Sequence, residues 1–108
     1  GRRRRGVRLH RVINAGDIHL ADLNDKLRRR VLVISSARFH HASGRALVAP
    51  EVIGEPDDVP FPWRVQVGNA VYAVDLVRTL PTDRLLDRID RAPAAAMALI
   101  GRALVNIT

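Results

Sequence analysis

The sequence predicts a small, mainly β domain: five or six short antiparallel strands curled into a barrel-like sheet, with helix packed against it at the C-terminal end. Three observations predict it. Apolar residues come in short runs, several of them rich in valine and isoleucine. Glycine, proline, asparagine and aspartate clusters punctuate those runs. Beyond Pro81 the spacing changes to a helical one, rich in leucine and alanine. With 108 residues, 47% of them hydrophobic, there is material for one domain around one core.

Gly16-Asp17-Ile18-His19-Leu20-Ala21-Asp22-Leu23 alternates in part and reads as the first strand. Asn24-Asp25-Lys26 is a turn cluster. Val31-Leu32-Val33-Ile34 is continuous and β-branched, as a central strand covered on both faces requires. Residues 35–44 read as a polar connection that turns at Ser43-Gly44. Ala46-Leu47-Val48-Ala49 makes the next strand, limited by Pro50. Residues 54–63, with three prolines, one glycine and three acids, read as a surface loop. Arg64-Val65-Gln66-Val67 alternates cleanly, and Ala70-Val71-Tyr72-Ala73-Val74 follows after a Gly68-Asn69 turn. One more strand is expected over 74–80. Thr82 then caps a short helix with Leu85, Leu86 and Ile89 on one face. Pro93 opens a second helix, alanine-rich, with Met97, Ile100, Leu104 and Val105 turned inward.

Charge and cysteine usage narrow the function classes. Cysteine is absent, so neither a disulfide framework nor a cysteine metal site exists, and a reducing, cytoplasmic setting is expected. The apolar stretches are too short to cross a bilayer, and none follows the basic start as in a signal peptide. The net charge is +7, but its distribution is uneven. Residues 1–12 hold six arginines and no acid; they form a basic arm that either contacts phosphates or stays a solvated tail. The domain proper, 13–108, is close to balanced. Within it Lys26, Arg28, Arg29, Arg30, Arg38 and Arg45 fall in an acid-free block, a plausible footprint for a polyanion.

Two segments, in this order and spacing, resemble the MazF/PemK toxins of type II toxin–antitoxin systems. The first is the Gly16-Asp17 strand with Asp22. The second, residues 29–52 (RRVLVISSARFHHASGRALVAPEV), is similar to the family's Arg-Pro-x-Leu-Val-Val-Ser, polar connection and strand ending in Pro-x-Thr. Residues 72–80, followed by Arg84-Leu85, look like the family's later strand and the helix after it. The resemblance covers 13–106. It implies an SH3-like barrel of the MazF/CcdB type, a homodimer, and metal-independent, sequence-specific cleavage of single-stranded RNA without a cofactor. It also implies a cognate antitoxin, with operator DNA bound only through the antitoxin complex.

The family's catalytic pair is an arginine before the central strand and a threonine after the next one. The matched motif puts the arginine at Arg29, with Arg30 in place of the family's proline. Strand alternation sends Arg28 and Arg30 to the face opposite Arg29. Cleavage by internal attack needs a deprotonated 2′-hydroxyl, a stabilised phosphorane and a protonated leaving oxygen. A guanidinium supplies charge and forked donors without metal. Against this stands the reading of an arginine triplet as a solvated strand edge.

The threonine position is Val52, which carries no proton to give or take. The imidazoles of His40 and His41 are the candidate acid–base replacements, though a surface-loop histidine pair is more often inert. As a zinc site the pair is poorer still. Ser35, Ser36, Arg38 and Arg45 are candidate substrate contacts. Trp63 stacks a base, or else serves as a hydrophobic lid or dimer contact. Asp17 and Asp22 either orient arginines or are plain surface acids. With aromatics at 4%, an aromatic-platform mode of RNA binding is disfavoured.

Val52 also keeps open a non-catalytic relative of the same fold, a CcdB-like gyrase poison or a nucleic-acid or antitoxin-binding module. The gyrase branch relies on a C-terminal Trp-Gly-Ile that this chain lacks. A plain nucleic-acid binder driven by the arm is the third reading.

Overall fold

Val31, Leu32 and Val33 are all 0% exposed; a strand this apolar needs cover on both faces and neighbours on both edges. The computed structural model describes residues 12–24, 28–53 and 62–107. The basic arm up to residue 11 and most of the expected 54–63 loop lie outside the described residues. Strand β2 (Arg29–Val33) sits at the centre of a five-stranded sheet, between β1 (Asp17–Ala21) and β3 (Arg45–Pro50). β6 (Arg78–Pro81) and β7 (Leu85–Arg91) complete it in the order β6-β3-β2-β1-β7, every neighbour antiparallel. The mainly β architecture with a C-terminal helix is as the sequence predicts; the sheet curls without closing as a barrel.

Period-two alternation divides the core. Leu32, Ile18 and Ala49 face a hairpin of β4 (Arg64–Val67) and β5 (Ala70–Ala73), which supplies Val65, Val67 and Tyr72. The C-terminal helix (Ala94–Val105) seals the same side with Ala96, Ile100 and Ala103. Val31 and Val33 point the other way, among Ala21, Ala46, Val48, Leu80 and Leu85. Burying each large aliphatic side chain contributes roughly 1.5–3 kcal/mol. The hairpin is tied to the sheet where β3 runs out: Glu51 bridges Tyr72, and the Val52 N–H donates to the Val71 carbonyl at 2.8 Å. Gly68, at φ 62°, makes the hairpin turn in a left-handed conformation that side chains resist.

Three expectations are corrected. The 35–44 connection contains a helix, α1 (Ala37–Ser43), capped by Ser36, whose Oγ accepts from the Phe39 N–H, and ended at Gly44. The 74–80 segment begins as a 3-10 turn (Val74–Leu76) before β6. The helix expected after Thr82 is a 3-10 turn (Thr82–Arg84) followed by strand β7. Leu85, Leu86 and Ile89 mimic a helical stripe, but β1 needs a partner on its open edge, and tertiary pairing outweighs local propensity. β7 pairs with β1 through two register shifts, and its outer half is charged. Bulges and charge are how an exposed edge avoids pairing with other chains. The C-terminal helix, α2 from here on, turns Ile100 inward and half-buries Met97 and Leu104, whereas Val105 is exposed.

Tyr72, the only tyrosine, is 1% exposed. Burial, with the charges of Glu51 and Asp90 adding and Arg30 opposing, pushes its hydroxyl up to about 12. Below pH ~10 the tyrosine is neutral in folded and unfolded chains alike and this contribution is intact. Above that only the unfolded chain ionises, so stability is lost as the pH climbs towards the folded value. Denaturant midpoints should fall between pH 10 and 12, by on the order of 2 kcal/mol, and Tyr72→Phe should flatten the slope. Tyrosinate absorbance reads the same titration directly.

Candidate nucleic-acid interface

The β2–β3 ladder decides what the arginine triplet meets. Val31 stands opposite Pro50, and the Glu51 N–H donates to the Arg30 carbonyl at 3.0 Å. Beside that bond the Arg30 guanidinium lies 3.8 Å from the Glu51 carboxylate. One further step of the same register would set Arg29 opposite Val52. The ladder stops at Val31 and Pro50, however, and the Val52 N–H bonds the hairpin at Val71, so the two positions the family motif singles out flank the end of the β2–β3 pairing. Arg29 is half-buried and shares the face of Val31; Arg28 and Arg30 are exposed, on the face of Leu32.

On that second face a cleft of about 480 Å³ opens between β1, the end of β2, β7 and the hairpin turn. Its floor is apolar, with Leu20 and Ile89 among its walls, and its polar groups are Arg30, Asn69, Tyr72 and Asp90. The sequence reading had no place for Asp90, because it set residues 85–89 on a helix. Strand pairing with β1 puts Asp90 opposite Ile18 and so beside the cleft.

The remaining candidates gather elsewhere. About 13 Å of strand separates Arg29 from Val33, and Ser35, α1 and Arg45 lie past that far end. His40 is 7% exposed, and both ring nitrogens are engaged. Its Nδ1 donates to the Ile13 carbonyl at 2.7 Å, an oxygen that only accepts, so the ring is the Nδ1–H tautomer. Nε2 then accepts from the Ser35 hydroxyl at 2.6 Å, while that hydroxyl accepts from the Leu47 N–H at 2.8 Å. Ile13, α1 and β3 are thereby fastened together. His41, Ser36 and Arg38 are exposed on or beside α1. Arg45 donates to the Thr79 Oγ1 at 3.2 Å, bracing β3 to β6. Trp63 is half-buried, packed against the core just ahead of β4.

The Gly16-Asp17 motif is an anchor. Gly16 has φ 94°; its N–H donates to Val33 at 2.8 Å and its carbonyl accepts from Ala92 at 2.7 Å. Asp17 is 0% exposed, not a surface acid. One carboxylate oxygen accepts from the Asn14 N–H at 2.9 Å, and the other lies 3.8 Å from both Arg88 and Arg91. Asp17 thus lies near the arginines of β7 without hydrogen-bonding either. Asp22 caps its own turn through the Asn24 N–H. Among the described residues no three metal-ligating side chains gather, and no helix is long and apolar enough to span a membrane.

A family model described as the PemK-like, MazF-like toxin of type II toxin–antitoxin systems matches residues 14–108. Among solved structures, the chain is similar to one in a MazE–MazF complex (Form-II) from Deinococcus radiodurans, at 22% identity and TM-score 0.76, over 90% of this chain and 95% of that one. A Form-I crystal of the complex aligns at 26% identity and TM-score 0.69, covering 90% and 97%. An endoribonuclease in complex with its cognate antitoxin, from a mycobacterial species, aligns at 19% and 0.75, covering 87% and 92%. No curated protein matches.

The His40 geometry makes a stability prediction. His40→Ala strands a buried carbonyl and a hydroxyl, and should cost roughly 2–4 kcal/mol in urea unfolding. His41→Ala, on the exposed side of α1, should stay within about 0.5 kcal/mol of the parent.

Proposed function

The chain belongs to the PemK-like, MazF-like toxins of type II toxin–antitoxin systems, and from that premise we propose that it is a metal-independent, sequence-specific endoribonuclease cutting single-stranded RNA. The observation that supports the reading is the β2–β3 pairing, continued by the bond from the Glu51 N–H to the Arg30 carbonyl, which brings the strand carrying Arg29 beside the segment carrying residue 52. The 2′-hydroxyl attacks its own phosphorus, giving up a proton. The bond to the 5′-oxygen breaks, that oxygen takes a proton, and a 2′,3′-cyclic phosphate and a 5′-hydroxyl result. Arg29 lends its charge to the phosphorane, where negative charge accumulates. Arg28 holds the neighbouring backbone as a phosphate-positioning cation, and Arg30, on the face of Leu32, is a further substrate contact.

On this reading the toxin domain is 13–108 and the 1–12 arm is an accessory. The protein acts as a homodimer in the bacterial cytoplasm and is held silent by a cognate antitoxin; operator DNA is reached only through that complex. The MazE–MazF and toxin–antitoxin assemblies of the fold's neighbours support the antitoxin. Arg38, His41 and Arg45, past the far end of β2, serve a longer RNA track; His40 and Ser35 serve the fold.

Val52 favours a second reading, a member that binds without cutting, because nothing at that position carries a proton. Mixed-sequence RNA in EDTA separates the two. The nuclease leaves site-specific cuts ending in cyclic phosphate; the binder leaves RNA intact and shows a steep salt dependence. Arg29→Ala should lower cleavage by roughly 10²–10³ with an unchanged circular dichroism spectrum, and an undiminished rate would remove Arg29 from the mechanism.

A further inference from the structure

The cleft at the opening of β2 carries more chemistry than the fold requires. Arg30 and Asp90 stand on strands either side of β1, opposite Leu20 and Ile18, which sets their Cα atoms about 12 Å apart. Among the described residues the Arg30 guanidinium makes no hydrogen bond; Glu51, at 3.8 Å, is beyond hydrogen-bond range. One Asp90 oxygen accepts from the N–H of Arg91 at 2.8 Å, and the other makes no hydrogen bond among the described residues; the residue lines the cleft. Leu20 and Ile89 offer flat aliphatic walls, and the Tyr72 hydroxyl stays protonated at all ordinary pH values. A donor fork, a carboxylate acceptor and apolar walls within about 480 Å³ suit a planar, polar ring.

We infer that this cleft reads one base of the RNA and selects guanine, with Arg30 on the O6/N7 edge and Asp90 on the N1–H and 2-amino edge. Guanine is the base that presents paired acceptors to a guanidinium and paired donors to a carboxylate. Adenine and cytosine set an acceptor nitrogen beside their amino group, facing the carboxylate with a lone pair. Uracil flanks its single N–H with two carbonyls. The inference rests on the RNA-cutting reading for its substrate, and on the cleft alone for its selectivity. Arg29 and Arg30 are adjacent on opposite faces of the same strand end. A single strand crossing that lip sets a base in the cleft while the next phosphate reaches Arg29.

The test titrates the intact protein with the 5′-monophosphates of guanosine, adenosine, cytidine and uridine, followed by backbone amide NMR. Guanosine monophosphate should shift residues 68–72 and 89–90 at concentrations at least roughly tenfold below the others. Inosine monophosphate, lacking the 2-amino group, should bind more weakly. Asp90→Asn, on the exposed edge strand, should erase the preference by roughly 5- to 100-fold. Four nucleotides titrating alike, or shifts confined to other parts of the domain, would overturn the inference. Cut-site mapping separates it from the nuclease reading. Guanine-selective binding with intact RNA leaves the pocket standing and the nuclease fallen. RNA cut with no fixed guanine, by a protein blind to guanosine monophosphate, does the reverse.

Discussion

The pairing of β2 with β3 is the constraint on which the rest depends. A slip of one residue would exchange the two faces of β2, turning Leu32 out of the larger core and Arg29 onto the other face. The apolar residues forbid that slip, since Val31, Leu32, Val33, Val48 and Ala49 are all fully buried. Core packing thereby fixes a functional geometry that the arginines could not fix for themselves. Being charged, they lie at the strand opening, where the core ends and solvent begins.

The same strand end serves two surfaces at once. Arg29 lies on the face of Val31, and Arg30 on the face of Leu32, towards the cleft under the hairpin turn. The hairpin is held there by its bond from Val52 to Val71, so residue 52 is a joint between the two sheets. The Gly16-Asp17 turn does comparable work at the other end of β1. It ties β2 to the segment ahead of α2 through backbone bonds and buries a carboxylate near the arginines of β7. The cluster of His40, Ser35 and Ile13 fastens α1 in the same manner.

Strands β1 to β5 were legible in the sequence because alternation and turn chemistry agreed, and Gly68 turns where the Gly68-Asn69 turn was expected. β7 was not legible. Its two leucines and isoleucine have helical spacing, and only the open edge of β1, a fact of the tertiary structure, makes them a strand. That one misreading concealed Asp90 and with it the cleft. Helix α1 had a readable signal in Ser36, an N-cap three residues ahead of Phe39, overlooked because the segment is polar and short. The adjacency of Arg29 and residue 52 came from family resemblance and then from register; composition alone contained neither. The inward nitrogens of His40 were invisible, since burial is not a property of an isolated residue.

The account holds that Arg29 and residue 52 share one reacting phosphodiester. The most direct test is the single-turnover cleavage rate of Val52→Thr in EDTA, on RNA that the parent chain binds. A hydroxyl at residue 52 supplies the missing proton-transfer partner, and the rate should rise by roughly 10²-fold or more with little change in RNA affinity. A folded Val52→Thr protein that cuts no faster than its parent would contradict the shared site.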